Sequence, residues 1–167
     1  MPDGPRPNGP RYDDDFFAWT QYQAEVLRSM PAPDNRFDRE NVAEEIEDSG
    51  KSERDTLESQ ISRVIEYFLK LAYSPADPPR YGWMGSISDA RRILRKKLTP
   101  TLRRHAEQKF AELYEDAREA AELALRDHGE HEAAAVLPAA CPFTLDQVFD
   151  RGWYPDPPPP PTKDPSR

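Results

Sequence analysis

The sequence is poor in the residues that build metal centres, disulfide frameworks and membrane helices. Its 167 residues include one cysteine and three histidines. A single cysteine cannot form an internal disulfide or supply a multi-cysteine zinc or iron–sulfur site. No apolar stretch approaches the roughly 20 residues that a membrane helix needs. The N-terminal residues also carry no apolar segment of the kind found in a secretory signal. We therefore expect a cytoplasmic protein that makes no membrane contact.

Proline, in contrast, is abundant and concentrated at both ends. Four of the 19 prolines lie in residues 1–10 and seven in residues 155–165. We therefore predict disordered tails over 1–11 and 154–167, and a single helical-bundle domain over 12–153. The run Pro157–Pro161 favours a polyproline II conformation over packing. A solvated tail is the favoured interpretation of this run, and a ligand for a proline-recognition domain is the alternative.

Between the tails, apolar residues recur at helical spacing, and no segment alternates apolar and polar residues as a half-buried strand does. The second of four such stripes is Leu57, Ile61, Val64, Phe68 and Leu71. The first is Phe16, Trp19, Gln23, Val26 and Met30; the third is Ile87, Ala90 or Arg91, Leu94 and Leu98; the fourth is Leu102, Ala106, Phe110, Leu113, Ala117, Ala120 and Ala124. The pattern predicts an all-α, up-and-down bundle of four main helices with a short C-terminal helical turn.

Residues of helix-capping type mark where these helices begin. The predicted caps are Asp14 or Asp15, Asp38, Ser86, Thr99 before Pro100, and Thr144. Gly50 is either a break or an interior residue of the second helix, at a cost of about 1 kcal/mol relative to alanine. We favour a continuous second helix from about Arg39 to Tyr73, which would be roughly 50 Å long.

The net charge of −8 conceals three blocks of alternating sign. Residues 34–58 and residues 110–132 each carry a net charge of −6, whereas residues 80–109 carry +7. The basic side chains of this block that could form a continuous basic groove are Arg91, Arg92, Arg95, Lys96, Lys97, Arg103 and Arg104. Internal pairing with the neighbouring acidic helices is the favoured interpretation, and a phosphate-binding groove is the alternative. The overall negative charge argues against unaided nucleic-acid binding.

The N-terminal half of the second helix contains a candidate site made of acidic side chains. Glu44, Glu47 and Asp48 share one face, where like charges destabilise a helix unless a positive group offsets them. Three explanations stay open. The first is that Arg91 or Arg95 pairs with Glu45 or Glu47. The second is that the acids are exposed and screened by solvent, and the third is that a divalent cation binds them. No predicted helix carries a Glu-x-x-His pair, and we therefore predict no metal or other cofactor.

A further set of residues is considered together: the segments 15–25, 40–48, 52–54, 69–71 and 141–145, with Trp83, Ser86, Ile87, Arg91, Leu94 and Trp153. In these residues the sequence resembles the bacterial family catalogued as domain of unknown function number 29. The resemblance covers about residues 13–155 and implies an all-helical fold with no established activity. It further implies that Asp15, Trp19, Asn41, Glu44, Glu45, Glu47, Trp83, Ser86 and Arg91 form one neighbourhood.

The sequence favours a non-enzymatic protein-interaction module in which a carboxylate–arginine network fixes helix register. Its partner would be an unidentified protein or a second copy of the chain. The first alternative is a divalent-metal or small-ligand binding protein or enzyme that uses Glu44, Glu47 and Asp48. The second alternative is phosphate or nucleic-acid binding through the basic third helix.

Overall fold

The computed structural model describes residues 9–31, 34, 36–77 and 79–159, and their regular structure is entirely helical. The helices are α1 (Phe16–Ser29), α2 (Arg39–Tyr73), α3 (Arg80–Lys97), α4 (Pro100–Asp127), α5 (His131–Ala135) and α6 (Leu145–Phe149). The predicted all-α bundle with a long second helix and a short C-terminal helical turn is confirmed. The short helix α5 is an addition to the predicted set. Residues 1–8 and 160–167 of the two predicted tails lie outside the described residues.

The chain divides into two compact units. The first unit contains the residues up to Glu58 together with Lys97–Glu107, and the second contains Ser59–Lys96 and the residues from Gln108 onward. Helices α2 and α4 therefore contribute residues to both units. A division by compactness does not measure cooperative unfolding, so a single domain over 12–153 stays a prediction.

Helix α2 is continuous over 35 residues and includes Gly50, as the periodicity predicts. All five residues of its predicted stripe are buried: Leu57, Ile61, Val64, Phe68 and Leu71. Among the described helices, none combines the length and the apolar character that crossing a bilayer requires.

Side-chain caps begin several of the helices where the sequence places them. The Asp15 carboxylate accepts the Ala18 N–H at 3.0 Å at the start of α1, and the Asp38 carboxylate accepts the Asn41 N–H at 3.3 Å at the start of α2. The Thr99 hydroxyl accepts the Leu102 N–H at 3.2 Å, and Thr144 forms a capping box with Gln147 at α6. Gly129 follows α4 with a φ of 78°, a left-handed conformation that glycine adopts without a Cβ penalty.

Two sequence predictions about helices are wrong. Ser86 does not cap the third helix, because α3 already begins at Arg80, directly after Pro79. The predicted stripe on α4 drifts by one residue at its C-terminal end, where Ala121 is buried and Ala120 is exposed. A straight helix with 3.6 residues per turn drifts in this way from a 3,4-spaced pattern.

The predicted apolar face of α1 is also not its buried face. The buried residues of α1 are Thr20 and Ala24, whereas Phe16, Trp19 and Val26 are half-buried. The helix therefore turns small side chains inward and leaves its aromatic rings beside the N-terminal half of α2. This orientation creates the candidate site.

Candidate binding groove

An open groove lies between α1 and the N-terminal half of α2, within the first unit. It has a volume of about 380 Å³. Its lining residues, which define the α1/α2 groove, are Phe16, Trp19, Thr20, Asn41, Val42, Glu45, Ile46 and Ser49. Four of these side chains are large and apolar, and the polar ones stand among them. Sites that bind proteins or small molecules commonly combine an apolar lining with a few polar groups in this way.

Three aromatic rings cluster on the α1 side of the groove. Tyr12 meets Phe16 and Trp19 edge-to-face, with ring centroids 5.2 and 4.9 Å apart, and Phe16 stacks on Trp19 at 6.0 Å. Tyr12 nevertheless remains 56 % exposed. Aromatic pairs of this geometry favour defined ring orientations. The cluster thus presents a shaped aromatic surface to solvent.

The close approach of α1 to α2 depends on Gly50. A Cβ at this position would overlap the Thr20 hydroxyl and would lie 2.9 Å from the Gln21 side-chain nitrogen. The Thr20 hydroxyl donates a hydrogen bond to the Phe17 carbonyl at 2.7 Å, and the Gln21 amide donates across to the Glu47 carbonyl at 3.2 Å. These contacts fix the two helices side by side and set the position of the groove floor.

The half-buried acid beside the groove is neutralised by cations of its own unit. Glu47 accepts a hydrogen bond from Arg28 at 2.6 Å and lies 3.1 Å from Lys51. The Arg28 hydrogen bond, followed by the Lys51 hydrogen bond, lowers the pKa of Glu47. Glu47 is therefore a structural anion that links α2 to α1.

The other acids of the predicted cluster stand in solvent. Glu44, Glu45 and Asp48 are exposed, and Asp48 pairs with Lys51 at 3.0 Å. Of the three explanations considered for the cluster, exposure therefore applies to these acids. Within the described part of the chain, no group of three or more histidine, cysteine, aspartate or glutamate side chains is arranged to hold a metal ion.

The ten predicted site residues divide between the two units. Asp15, Trp19, Asn41, Glu44, Glu45, Glu47 and Asp48 belong to the first unit; Trp83, Ser86 and Arg91 belong to the second. Trp19, Asn41 and Glu45 line the groove, and Asp15 caps the helix that carries Trp19. The sequence did not indicate that Phe16, Val42 and Ile46 line this groove, because aromatic and aliphatic side chains at helical spacing usually indicate a core, and no pattern singled out Ser49.

The predicted pairing of Arg91 with Glu45 or Glu47 is wrong. The Arg91 guanidinium donates instead to the carbonyls of Val148 at 2.9 Å and of Gln147 and Trp153, each at 2.8 Å. Burial lowers the pKa of Arg91, which is only 2 % exposed. Its guanidinium carbon also lies 5.3 Å from the Phe68 ring centroid and 5.1 Å from that of Tyr154. Arg91 therefore holds the chain around and after α6. Arg95, the other predicted partner, is exposed.

The basic residues that follow Arg91 mostly contact neighbouring side chains of their own chain. Lys97 donates to Glu53 at 2.5 Å, Arg103 pairs with Glu107 at 3.0 Å, and Arg92 pairs with Asp89 at 3.0 Å. The Lys97–Glu53 pair joins the end of α3 to α2, which is the internal complementarity favoured from the sequence. These pairs leave the phosphate-binding alternative without support from the geometry.

In the part of the chain that the structure describes, the architecture is that of an all-helical protein with an aromatic-lined groove between its first two helices. The chain belongs to the family described as Domain of unknown function DUF29, whose family model matches residues 11–154. The resemblance noted in the sequence is thereby confirmed.

A solved structure with the same fold is the alpha-helical protein of unknown function from Rhodospirillum rubrum ATCC 11170. The two chains are 26 % identical and superpose with a TM-score of 0.75, over 84 % of this chain and 90 % of that chain. No curated protein matches the sequence. The family and the similar structure therefore establish the fold without assigning an activity.

Proposed function

We propose that this chain is a non-enzymatic protein-interaction module and that the α1/α2 groove is its recognition site. The observation that carries the proposal is the pair of half-buried rings, Phe16 and Trp19, that lines the groove together with Val42 and Ile46 of α2, while the exposed Tyr12 ring packs against both rings. Aromatic side chains dominate the energetics of protein interfaces because each buries roughly 150–250 Å². A partner that covers the cluster gains this burial.

The rim of the groove specifies the charge of the partner. Glu45 lines the groove and is exposed, and the exposed Glu44 and Asp48 are its neighbours on α2. Arg28 and Lys51 are already engaged by Glu47. The partner segment should therefore present apolar side chains to the rings and a basic residue to Glu45, since complementary charge guides both encounter and register.

The polar groups of the groove favour binding over catalysis. The Thr20 hydroxyl is committed to the Phe17 carbonyl, and the Asn41 amide donates to the Asp38 carboxylate at 2.5 Å. Groups engaged in structural hydrogen bonds orient a ligand better than they transfer protons to it. The size of the groove fits a short extended segment, which is typical of a weak, reversible interaction.

A cytoplasmic location is part of the same proposal. It is supported by the free thiol of Cys141, because reducing compartments such as the cytoplasm keep cysteines in the thiol form. Fractionation of the source cell with an antibody against the chain tests it, and recovery with secreted proteins would contradict it.

Photo-crosslinking tests the groove itself. With p-benzoyl-phenylalanine in place of Val42, which is 37 % exposed on the groove, we expect adducts with one partner after irradiation of the source cells. Mass spectrometry should locate the adduct on a partner peptide that carries proline or aliphatic residues beside lysine or arginine.

Two comparisons make the result specific. The same crosslinker in place of Leu123, which is 60 % exposed in the second unit, should not give this adduct, and Trp19→Ala should remove it from position 42. Equal adducts from both positions, or adducts that persist in Trp19→Ala, would contradict the proposed function.

A further inference from the structure

We propose that the groove binds the proline run Pro157–Pro161 of a second copy of this chain. This inference rests on the proposed function and names its partner. It links a feature of each unit: the aromatic groove of the first unit and the proline run of the second. Both are parts of one chain, so self-association needs no further component.

The second unit holds the start of the proline segment firmly. Arg91 binds the Trp153 carbonyl, and the Trp153 ring meets Phe68 at 5.0 Å and Phe143 at 6.0 Å. Tyr154 lies over the Arg91 guanidinium. The chain is therefore fixed at Trp153 and Tyr154, a few residues before the proline run.

The first prolines of the run are presented to solvent. Pro157 and Pro159 are exposed and Pro158 is half-buried. All three line a shallow cavity of about 240 Å³ that Ser74, Asp77 and Arg80 also line. In this chain the described prolines therefore lie beside the α2–α3 connection of their own unit, so the occupant of the groove that we infer is the run of another copy.

The chemistry of the groove suits proline. Proline has no backbone N–H, so a proline run offers ring faces and carbonyl acceptors. Recognition domains for such runs use aromatic-lined grooves, and the preformed polyproline II conformation reduces the entropy lost on binding. Phe16 and Trp19 supply ring surfaces, with Tyr12 packed against them, and the lining residues Trp19 and Ser49 carry an indole N–H and a hydroxyl that can donate to proline carbonyls.

The lengths of the two features agree. Five consecutive prolines span about 12 Å between the first and last residue at 3.1 Å per residue. The α2 edge of the groove, from Asn41 to Ser49, spans about 12 Å at 1.5 Å per residue. The run therefore matches the groove along α2 without a large excess at either end.

The charges agree as well. Lys163 follows the run by two residues, or about 6 Å in the same conformation. With the end of the run beside Ser49, the long Lys163 side chain would reach back to the exposed Asp48, which lies about 1.5 Å along α2 from Ser49, whereas Glu45 lies about 6 Å from it. The whole chains repel one another at a net charge of −8 each, so association depends on this local complementarity and should weaken in high salt.

Analytical ultracentrifugation with two complementary variants tests the inference on the full chain. Trp19→Ala disables the groove, and the triple substitution P158S/P159S/P160S disables the run. We expect the wild-type chain to self-associate reversibly and each variant alone to lose at least about tenfold in association constant, a change equivalent to about 1.4 kcal/mol. An equimolar mixture should associate again, because it contains one intact groove and one intact run.

Controls separate this inference from a folding defect and from the proposed function. Val42→Asp should reproduce the loss seen in Trp19→Ala, Leu123→Ala should change nothing, and unchanged circular dichroism should show that the variants fold. A wild-type chain that stays monomeric at about 0.2 mM, well above a micromolar dissociation constant, would overturn the inference, as would a mixture that does not associate. If the crosslinker at Val42 then captures a different protein in a Trp19-dependent way, the proposed function stands; if it captures none, both fail.

Discussion

At the scale of single residues, the sequence identified Arg91 as a buried residue but predicted the wrong hydrogen-bond partners for it. Its position among apolar residues of α3 indicated burial, and the structure confirms burial. The sequence could not show which acceptor meets the guanidinium. Backbone carbonyls can accept its hydrogen bonds as carboxylates can, and because every residue has a backbone carbonyl, the residue types do not reveal which carbonyl is used. The chain around and after α6 supplies the acceptors.

We predict that Arg91→Met lowers the free energy of unfolding by about 3 kcal/mol. Methionine keeps the apolar contact with Phe68, but the carbonyls of Gln147, Val148 and Trp153 lose their donor, and each unsatisfied buried group costs about 1–3 kcal/mol. Urea unfolding measures the change. The matched control is Arg95→Met at an exposed position of the same helix, which should stay within about 0.5 kcal/mol of wild type. Equal effects of the two substitutions would contradict the assigned role.

Two glycines in helices should respond oppositely to the same substitution. A Cβ at Gly50 overlaps the Thr20 hydroxyl, whereas a Cβ at Gly85 in α3 meets open space. Gly85→Ala should stabilise the chain by up to about 1 kcal/mol through helix propensity. Gly50→Ala should instead destabilise it by about 1–3 kcal/mol, because overpacking outweighs that gain. The melting temperatures of both variants, compared with that of the wild-type chain, test this prediction. Stabilisation by both substitutions would mean that α1 does not approach Gly50 closely.

At the scale of elements, Asp15 serves two helices with one carboxylate. One oxygen accepts the Ala18 N–H of α1 at 3.0 Å, and the other accepts the Thr101 N–H of α4 at 2.8 Å. Burial alone would raise the pKa of Asp15, but hydrogen bonds from Ala18 and Thr101 lower it below its usual value. Sequence reasoning found the first cap and could not find the second, since the two residues are far apart in the chain.

The double cap predicts a defined loss of stability in acid. Because the pKa of Asp15 is lower in the folded chain than in the unfolded chain, its contribution is complete above about pH 4 and is lost as pH falls through the folded value. Asp15→Asn should cost about 1–3 kcal/mol at neutral pH, because the amide has a single acceptor oxygen and leaves either the Ala18 or the Thr101 N–H facing its NH2 group. The difference from wild type should shrink below about pH 4. A pH series of urea unfolding curves measures this, with Asp13→Asn as an exposed control. A difference that does not change with pH would contradict the account.

The groove could not be predicted from the sequence because the buried face of α1 differs from the face that its hydrophobic pattern indicates. Its aromatic residues at helical spacing indicated a core face, but the close contact at Gly50 admits only small side chains there. Thr20 and Ala24 take the buried positions, and Phe16 and Trp19 are left on the groove. A hydrophobic pattern identifies that a helix has an apolar face; it does not reveal how closely the next helix approaches.

At the scale of the whole molecule, the all-α class, the long α2 and most helix starts could be predicted, because periodicity and caps are local properties of the chain. The division into two units could not, since it depends on which distant segments meet. For the same reason three of the predicted site residues, Trp19, Asn41 and Glu45, line one groove, whereas Trp83, Ser86 and Arg91 belong to the other unit.

The central claim is that the α1/α2 groove holds a proline-bearing segment, and the three tryptophans provide a direct measurement of it. Each indole N–H gives its own signal in a nitrogen–proton correlation spectrum. On titration of the nitrogen-15-labelled chain with an unlabelled synthetic peptide of residues 155–167, the Trp19 signal should shift and saturate, while the signals of Trp83 and Trp153, which belong to the second unit, stay in place. A Trp19 signal that does not move, or three signals that move together, would contradict the claim.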